Sequence, residues 1–280
     1  MAELSLLGLF AHPDDEQLMS GTFAKYAAEG IRTGLICTTR GEYGEIADPA
    51  LATPETLGHV RELELRAACA VVGIKYLYFL DYKDSGWFDR PENDAPDSFN
   101  NADPEEATEA LVRLIREFRP TVMVTFDPGG GYGHLDHVQV WRFTSEAFDA
   151  AADPARYPGA GGAWQAQRLY YTGFPRSRMQ RFGEVMERMD LESSYRDLNM
   201  EQKGFTDEEI TNVMDVREWV AFKEKSMSMH ATQMDPNSLF TRLPADMLLE
   251  MRATEYFSLA KGAPLPDTPD ARGDLFAGLR

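Results

Sequence analysis

Two short stretches hold most of the residues in this sequence that could do chemistry. "AHPDDE", residues 11–16, sets His12 beside three consecutive acids, Asp14, Asp15 and Glu16, and "GHLDH", residues 133–137, sets His134 and His137 on either side of Asp136. The plain reading of the first stretch is helix-start chemistry, with proline in the first turn and acids at the positive end of the helix dipole. Magnitudes argue against that as the whole account. Two carboxylates about 5 Å apart repel by roughly 3 kcal/mol at an effective dielectric of about 20. A helix N-terminus returns only about 0.3–1 kcal/mol per acid at a surface. If Asp14 and Asp15 share a partly buried cleft, either they splay into water or a cation sits between them. Three mixed imidazole and carboxylate ligands with one open position describe a catalytic zinc site; His12, Asp15 and one histidine of the second stretch would supply them. The other histidine is then available to donate or accept a proton. Asp136 is placed to orient an imidazole from behind, although a first-turn helix acid explains it equally well.

For these residues to meet, both stretches must leave the same edge of one sheet. Residues 4–10 (LSLLGLF), 33–38 (TGLICT), 76–80 (YLYFL), 122–126 (VMVTF) and 168–172 (RLYYT) are short, nearly continuous apolar runs and read as buried strands. Helical spacing occupies residues 17–30, 56–72 (ending at Gly73), 104–118 and about 136–151. This alternation predicts a Rossmann-like α/β fold, a mostly parallel sheet with helices on both faces. In such sheets ligands bind beyond the carboxyl ends of the strands, and "AHPDDE" and "GHLDH" each follow a strand. A spacing of three also places His134 and His137 on one helix face. From residue 174 onward the pattern reads as mixed amphipathic helices, notably 217–230. With no internal repeat or low-complexity linker, the chain divides into a catalytic core over residues 1–172 and a smaller C-terminal elaboration over 173–280, packed on the core as one functional unit.

Composition narrows the function classes. With 43% hydrophobic and 26% charged residues the chain is an ordinary globular protein. Forty-six acids against twenty-eight bases give a net charge of -18, which speaks against binding nucleic acid or an anionic membrane through bulk charge. Cys37 and Cys69 lie in apolar surroundings and are expected as buried, reduced thiols. No stretch reaches a transmembrane length, and the N-terminus lacks the basic region of a signal peptide. The expectation is a soluble cytoplasmic protein, compatible with a homo-oligomer. The glycines of "DPGGGYGH" (127–134) match neither GxGxxG nor GxxxxGK[ST], which disfavours a nucleotide site. They read as a tight loop that approaches a substrate and presents Tyr132. His59 has helix neighbours and no ligand set around it, and reads as structural or surface.

At "AHPDDE" and "GHLDH" the sequence resembles the PIG-L/LmbE family of metal-dependent de-N-acetylases. "RELELRAACAVVG" (61–73), "LDYKDSG" (80–86) and Lys223 with "HATQ" (230–233) extend the resemblance over most of the chain. It is nearest to the mycothiol-pathway branch, the GlcNAc-inositol deacetylase and the mycothiol-conjugate amidase. The resemblance implies a zinc ion on His12, Asp15 and His137, with iron or manganese accepted by similar donors. It implies Asp14 as the general base toward the water that attacks an acetamide carbonyl. His134 would be a general acid or an oxyanion stabiliser held by Asp136, Tyr132 would help polarise the carbonyl, and Arg61 and Asp84 would contact sugar hydroxyls. Leu135 replaces a proline common in the second motif, a change expected to alter loop stiffness rather than ligand identity. Gln17 and Met19 stand where the rim would meet substrate. The acidic loop "TRGEYGEIADPALATPE" (39–55) suits a neutral or cationic substrate better than an anionic one, or is simply solvated. The expected reaction removes the N-acetyl group from a GlcNAc-type amino sugar, a small-molecule partner, and releases acetate. An amidase acting on a mycothiol-like thiol conjugate is the alternative within the enzymes. A non-catalytic sugar- or metal-binding module is disfavoured because every position of both motifs that the chemistry requires is filled. A metallophosphatase is disfavoured because a two-metal site usually needs more histidines and bridging carboxylates.

Overall fold

The first strand, β1 (Ser5–Phe10), is buried at every position, as the middle of a sheet covered on both faces requires. The computed structural model describes residues 3–189, 199, 203–235 and 242–280. In it β1 pairs in parallel with β2 (Arg32–Cys37) on one side and with β4 (Val122–Phe126) on the other. β2 continues to β3 (Tyr76–Phe79) and β4 to β5 (Arg168–Gly173), again in parallel. Each strand expected from an apolar run is therefore present. Helices α1 (Ser20–Ala28), α2 (Leu57–Val72), α3 (Pro104–Phe118) and α4 (Leu135–Ala152) alternate with them. Their ends follow local chemistry. Asp103 accepts the N–H groups of Glu105 and Glu106 ahead of Pro104, an N-cap followed by proline in the first turn. α2 stops at Gly73, whose φ of 77° is the left-handed conformation that glycine adopts without strain.

Strand order places the site. The chain builds outward from β1 to β2 and β3, then crosses back to add β4 and β5 on the opposite side. That reversal leaves a crevice at the carboxyl ends of β1 and β4, and "AHPDDE" and "GHLDH" follow those two strands.

The C-terminal third departs from the expectation of mixed helices. Besides α5 (Arg176–Arg188), α6 (Val220–Met227) and α7 (Ala245–Arg252), it contains β6 (Asn212–Asp215) and β7 (Thr254–Gly262). These two strands extend the same sheet antiparallel, in the order β3-β2-β1-β4-β5-β7-β6. They escape an apolar-run reading because much of β7 is only half-buried and one of its inward residues is Glu255. That glutamate has a structural task. It accepts the N–H groups of Gly21 at 3.0 Å and Thr22 at 2.8 Å in the first turn of α1, and it pairs with Lys223 of α6. The residue ahead of α1, Met19, offers no side-chain acceptor, so the C-terminal part supplies the cap that the helix's own sequence lacks.

Cys37 and Cys69 are both buried and free. Among the described residues no helix is long and apolar enough to cross a membrane.

Removing one partner of a buried ion pair leaves the other charge desolvated, at a cost of about 3–5 kcal/mol. Glu255→Ala is expected to lower the unfolding free energy by about that amount, measured by urea denaturation. A loss under about 1 kcal/mol would mean that Lys223 reaches water once its partner is gone.

Candidate metal centre

"AHPDDE" does not form the first turn of α1. Residues Asp15–Leu18 make a separate 3-10 turn, and the α-helix begins only at Ser20. The break lies at Asp14, which has φ 109° and ψ −20°, a conformation that costs a non-glycine residue roughly 1–3 kcal/mol. It is held on both flanks. Arg61 of α2 donates to the Pro13 carbonyl at 2.7 Å, and the Asp14 N–H donates to Glu16 Oε2 at 3.0 Å. The next residue folds back, so that Asp15 Oδ2 accepts the His12 N–H at 2.7 Å.

The ring nitrogens decide what this turn can bind. His12 Nε2 lies 3.1 Å from Asp136 Oδ2 and 3.5 Å from Asp84 Oδ1, and His137 Nδ1 lies 3.2 Å from the Gly130 carbonyl. Carboxylates and carbonyls only accept, so each neutral ring places its proton on that side and turns a lone pair the other way. The two lone pairs, His12 Nδ1 and His137 Nε2, face each other at 3.2 Å. Asp15 closes the triangle, with Oδ2 3.5 Å from His12 Nδ1 and Oδ1 3.3 Å from His137 Nε2. Three acceptors thus converge with no donor among them. Donors about 2.0–2.2 Å from one tetrahedral zinc stand roughly 3.3–3.5 Å apart, so the residues present fit such an ion. With a proton in place of a cation the same attraction shows in the ionisation. Burial works against charge on His12, yet Asp136, Asp15 and Asp84 raise its pKa well above the ordinary value. Burial opposes charge on Asp15 too, but His137 and His12 hold its carboxyl well below the ordinary value.

His134 also brings a ring nitrogen within 4.8 Å of donor atoms on His12 and His137. However, it is the N-cap of α4, and its Nδ1 accepts the Asp136 N–H at 3.2 Å. The neutral ring therefore carries its proton on Nε2 and is a hydrogen-bond donor. Burial, with His12 and His137 nearby, pushes its pKa down to about 4. A wider group of His12, Asp84, His134 and Asp136 needs no cation, because His12 Nε2 already donates between the two carboxylates.

These contacts place several of the expected site residues. The Asp136 carboxylate lies against His12, and Asp136 meets His134 through its backbone N–H. Because the His134 ring turns back onto the Asp136 N–H, the buried Asp136 carboxylate is free to cross to the loop after β3. There it accepts the Ser85 N–H at 2.9 Å and the Ser85 hydroxyl. Arg61 and Asp84, expected against sugar hydroxyls, are each only 4% exposed. The Arg61 guanidinium donates to the carbonyls of Gly41 (2.8 Å) and Pro13, and reaches Asp14 Oδ2 at 3.3 Å. Gly41, at φ 63°, leaves the room this needs, since a Cβ there would lie 2.1 Å from Arg61. Asp84 accepts the N–H groups of Tyr43 (3.2 Å) and Gly86 (2.8 Å). Burial would raise its carboxyl, but His12 holds it below the ordinary value. Met19, expected at the rim, is fully buried in the core, while Gln17 lines the cavity and donates to Glu16 and Ser226. His59 is exposed on α2.

Asp14, Asp15, Tyr132 and His137 open onto a cavity of about 780 Å³, whose far wall includes Met179, Phe182 and Met251 of the C-terminal part. Tyr132 stacks on Trp87 with ring centroids 5.7 Å apart and meets His137 edge-on at 5.1 Å. Asp14 keeps 37% of its side chain exposed. Desolvation raises its carboxyl pKa, with Arg61 pulling it down and Asp15 adding to the rise.

Residues outside the two motifs hold the site in place. The His137 ring stacks on Phe126, the last residue of β4, at 4.0 Å and 8°. His230 Nε2 lies 2.7 Å from Glu16 Oε1. Thr232 donates its N–H and hydroxyl to Glu64 at 2.8 and 2.6 Å, and Gln233 reaches the Glu45 carbonyl at 3.0 Å. "HATQ" therefore pins the acidic loop and the metal-site turn from outside. Its signal in the sequence is a polar motif inside an amphipathic stretch, which pattern alone does not connect to residues more than 160 positions away.

Fold and site together define a Rossmann-like α/β protein with a histidine–carboxylate metal centre at the point where the strand order reverses. The chain belongs to the PIG-L family: the family model described as "PIG-L: GlcNAc-PI de-N-acetylase" matches residues 7–148, a span that includes both motifs. The 1D-myo-inositol 2-acetamido-2-deoxy-alpha-D-glucopyranoside deacetylase of Geodermatophilus obscurus is 40% identical, over 98% of this chain and 97% of its own. The protein of the same description from Thermobispora bispora is 38% identical over 100% of both chains. Among solved structures, the N,N'-diacetylchitobiose deacetylase from Pyrococcus horikoshii shares the fold with a TM-score of 0.65 at 17% identity, covering 91% of this chain and 83% of that one.

Outer partners of a metal-bound histidine commonly carry about 10–100-fold of metal affinity. Asp136→Asn is expected to weaken zinc binding by that factor, read by competition with a chromophoric chelator. Unchanged affinity would remove Asp136 from its place behind His12.

Proposed function

We propose that this chain is a zinc-dependent hydrolase that removes the acetyl group from the amino sugar of GlcNAc-inositol. The observation that carries this reading is the triangle of three acceptors on His12, Asp15 and His137 beside Asp14, at the wall of an open cavity. Similarity to the two deacetylases along nearly the whole chain supports the substrate. An uncharged sugar–inositol conjugate also suits a protein of net charge -18.

When bound, the zinc ion supplies a Lewis acid that polarises the amide carbonyl and acidifies water at its open position. The chain's own residues do the rest. Asp14 has Oδ2 held by Arg61, which leaves Oδ1 to take a proton from the attacking water. His134 donates its Nε2–H to the carbonyl oxygen as negative charge develops there. Of the two roles implied by resemblance, this is the one that a ring already accepting at Nδ1 favours. The proton on Asp14 then passes to the amine nitrogen as the C–N bond breaks, giving acetate and a free amine. Arg61 acts here as a positioning residue for Asp14, and Asp84 and Asp136 act in the same way for His12. Tyr132 lines the cavity beside His137, on the side where it would help polarise the carbonyl.

Acetate release from GlcNAc-inositol by the zinc-loaded protein tests the reading, with a mycothiol conjugate as the competing substrate. A positioned general base contributes about 10²–10⁴-fold. Asp14→Asn is expected to lose turnover within that range while elemental analysis still finds the metal. A wild-type protein that releases no acetate overturns the substrate, and an Asp14→Asn variant that still turns over overturns the base.

A further inference from the structure

The residue that takes the proton is held by a contact from the other end of the chain. Glu16 is fully buried, and its two oxygens face different partners. Oε2 accepts the N–H of Asp14 at 3.0 Å, which fixes the left-handed turn at that residue. Oε1 accepts from the Gln17 amide at 2.7 Å and lies 2.7 Å from Nε2 of His230. His230, just beyond α6, is 1% exposed, and among the described residues its other nitrogen, Nδ1, is buried without a hydrogen-bond partner. A buried polar atom left unpaired is unfavourable. Among the described residues the ring's polar contact goes to Glu16.

We propose that His230 is a positioning residue for Asp14, acting through Glu16; this rests on the role given to Asp14 above. Arg61 fixes one flank of the turn through the Pro13 carbonyl, and His230 fixes the other through the glutamate. The Gln17 amide shares Oε1 and is itself tethered to Ser226 of α6 at 2.8 Å, but it belongs to the 3-10 turn that follows Asp14. His230 brings a donor to Glu16 from outside that turn, against the pull of Asp14 toward an ordinary φ. A reacting group displaced by about 1 Å loses roughly 100-fold in rate, so a modest relaxation of the turn is enough to matter.

Two substitutions separate this role from simple packing. His230→Phe keeps a ring in place and removes the donor, and His230→Gln keeps an N–H donor and changes the shape. kcat and KM for GlcNAc-inositol, bound zinc by elemental analysis, and a crystal structure of each variant are the measurements. His230→Phe is expected to lose about 10–100-fold in kcat with KM and zinc content unchanged, and His230→Gln to recover most of that loss. In the His230→Phe crystal, Asp14 is expected to have left its φ near 109°. An active His230→Phe variant, or one in which Asp14 has not moved, overturns the proposal. So does a loss of kcat accompanied by loss of zinc. A wild type inactive toward GlcNAc-inositol counts against the functional reading alone, because the crystal structures still decide the positioning.

Discussion

An imidazole can turn a lone pair toward a metal only if its other nitrogen has an acceptor for its proton. The site depends on that constraint. His137 meets it with the Gly130 carbonyl, in the glycine loop after β4. His12 meets it with Asp136, and Asp136 in turn needs the N–H and hydroxyl of Ser85, in the loop after β3. Three loops, following β1, β3 and β4, must therefore arrive at one edge together. A parallel sheet delivers them there because all of its strands end on the same side. The fold class is thus a requirement of the tautomers as much as a scaffold for the ligands.

The second demand is the backbone of Asp14. A residue at φ 109° persists only where its surroundings over-determine it. Here they come from α2 through Arg61 and from beyond α6 through His230 and Glu16. The same region of the chain caps α1 through Glu255, holds α2 through Thr232 and pins the acidic loop through Gln233. The C-terminal third is therefore bound into the metal-site turn and the helix behind it, besides extending the sheet.

How much of this was legible in the sequence follows from how each residue meets its surroundings. β1, β2 and β4 are buried on both faces, and their apolar runs announce them. β6 and β7 pack at the sheet's antiparallel end with polar residues facing inward, so no run marks them. That His12 and Asp15 would meet a histidine of the second motif was legible because the two motifs follow strands that a parallel sheet must bring together. The choice of His137 over His134 came only from the family resemblance. The partner of Asp136 was not legible, because it depends on His134 turning back as an N-cap, a detail of three residues that spacing does not encode. Arg61 and Asp84 stand out as charged residues in motifs, but a charge in a motif does not say whether it faces the substrate or the loop behind the ligands. Here both face inward.

Five acids crowd this edge of the sheet, and following their oxygens separates two of them from the rest. Asp84 accepts from two backbone N–H groups, and Asp136 from Ser85 and His12. Glu16 accepts from Asp14, Gln17 and His230. Each of these carboxylates meets donors at both oxygens, as a buried carboxylate must. Among the described residues Asp15 has a donor only at Oδ2, from the His12 N–H, and its Oδ1 faces the lone pair of His137. Asp14 has one only at Oδ2, from Arg61, and among the described residues nothing donates to its Oδ1. The fold thus satisfies the supporting acids completely and leaves one oxygen on each of two neighbours unmatched. One lies against the lone pairs, where a cation is needed, and the other belongs to a side chain at the cavity wall, where a proton can be taken.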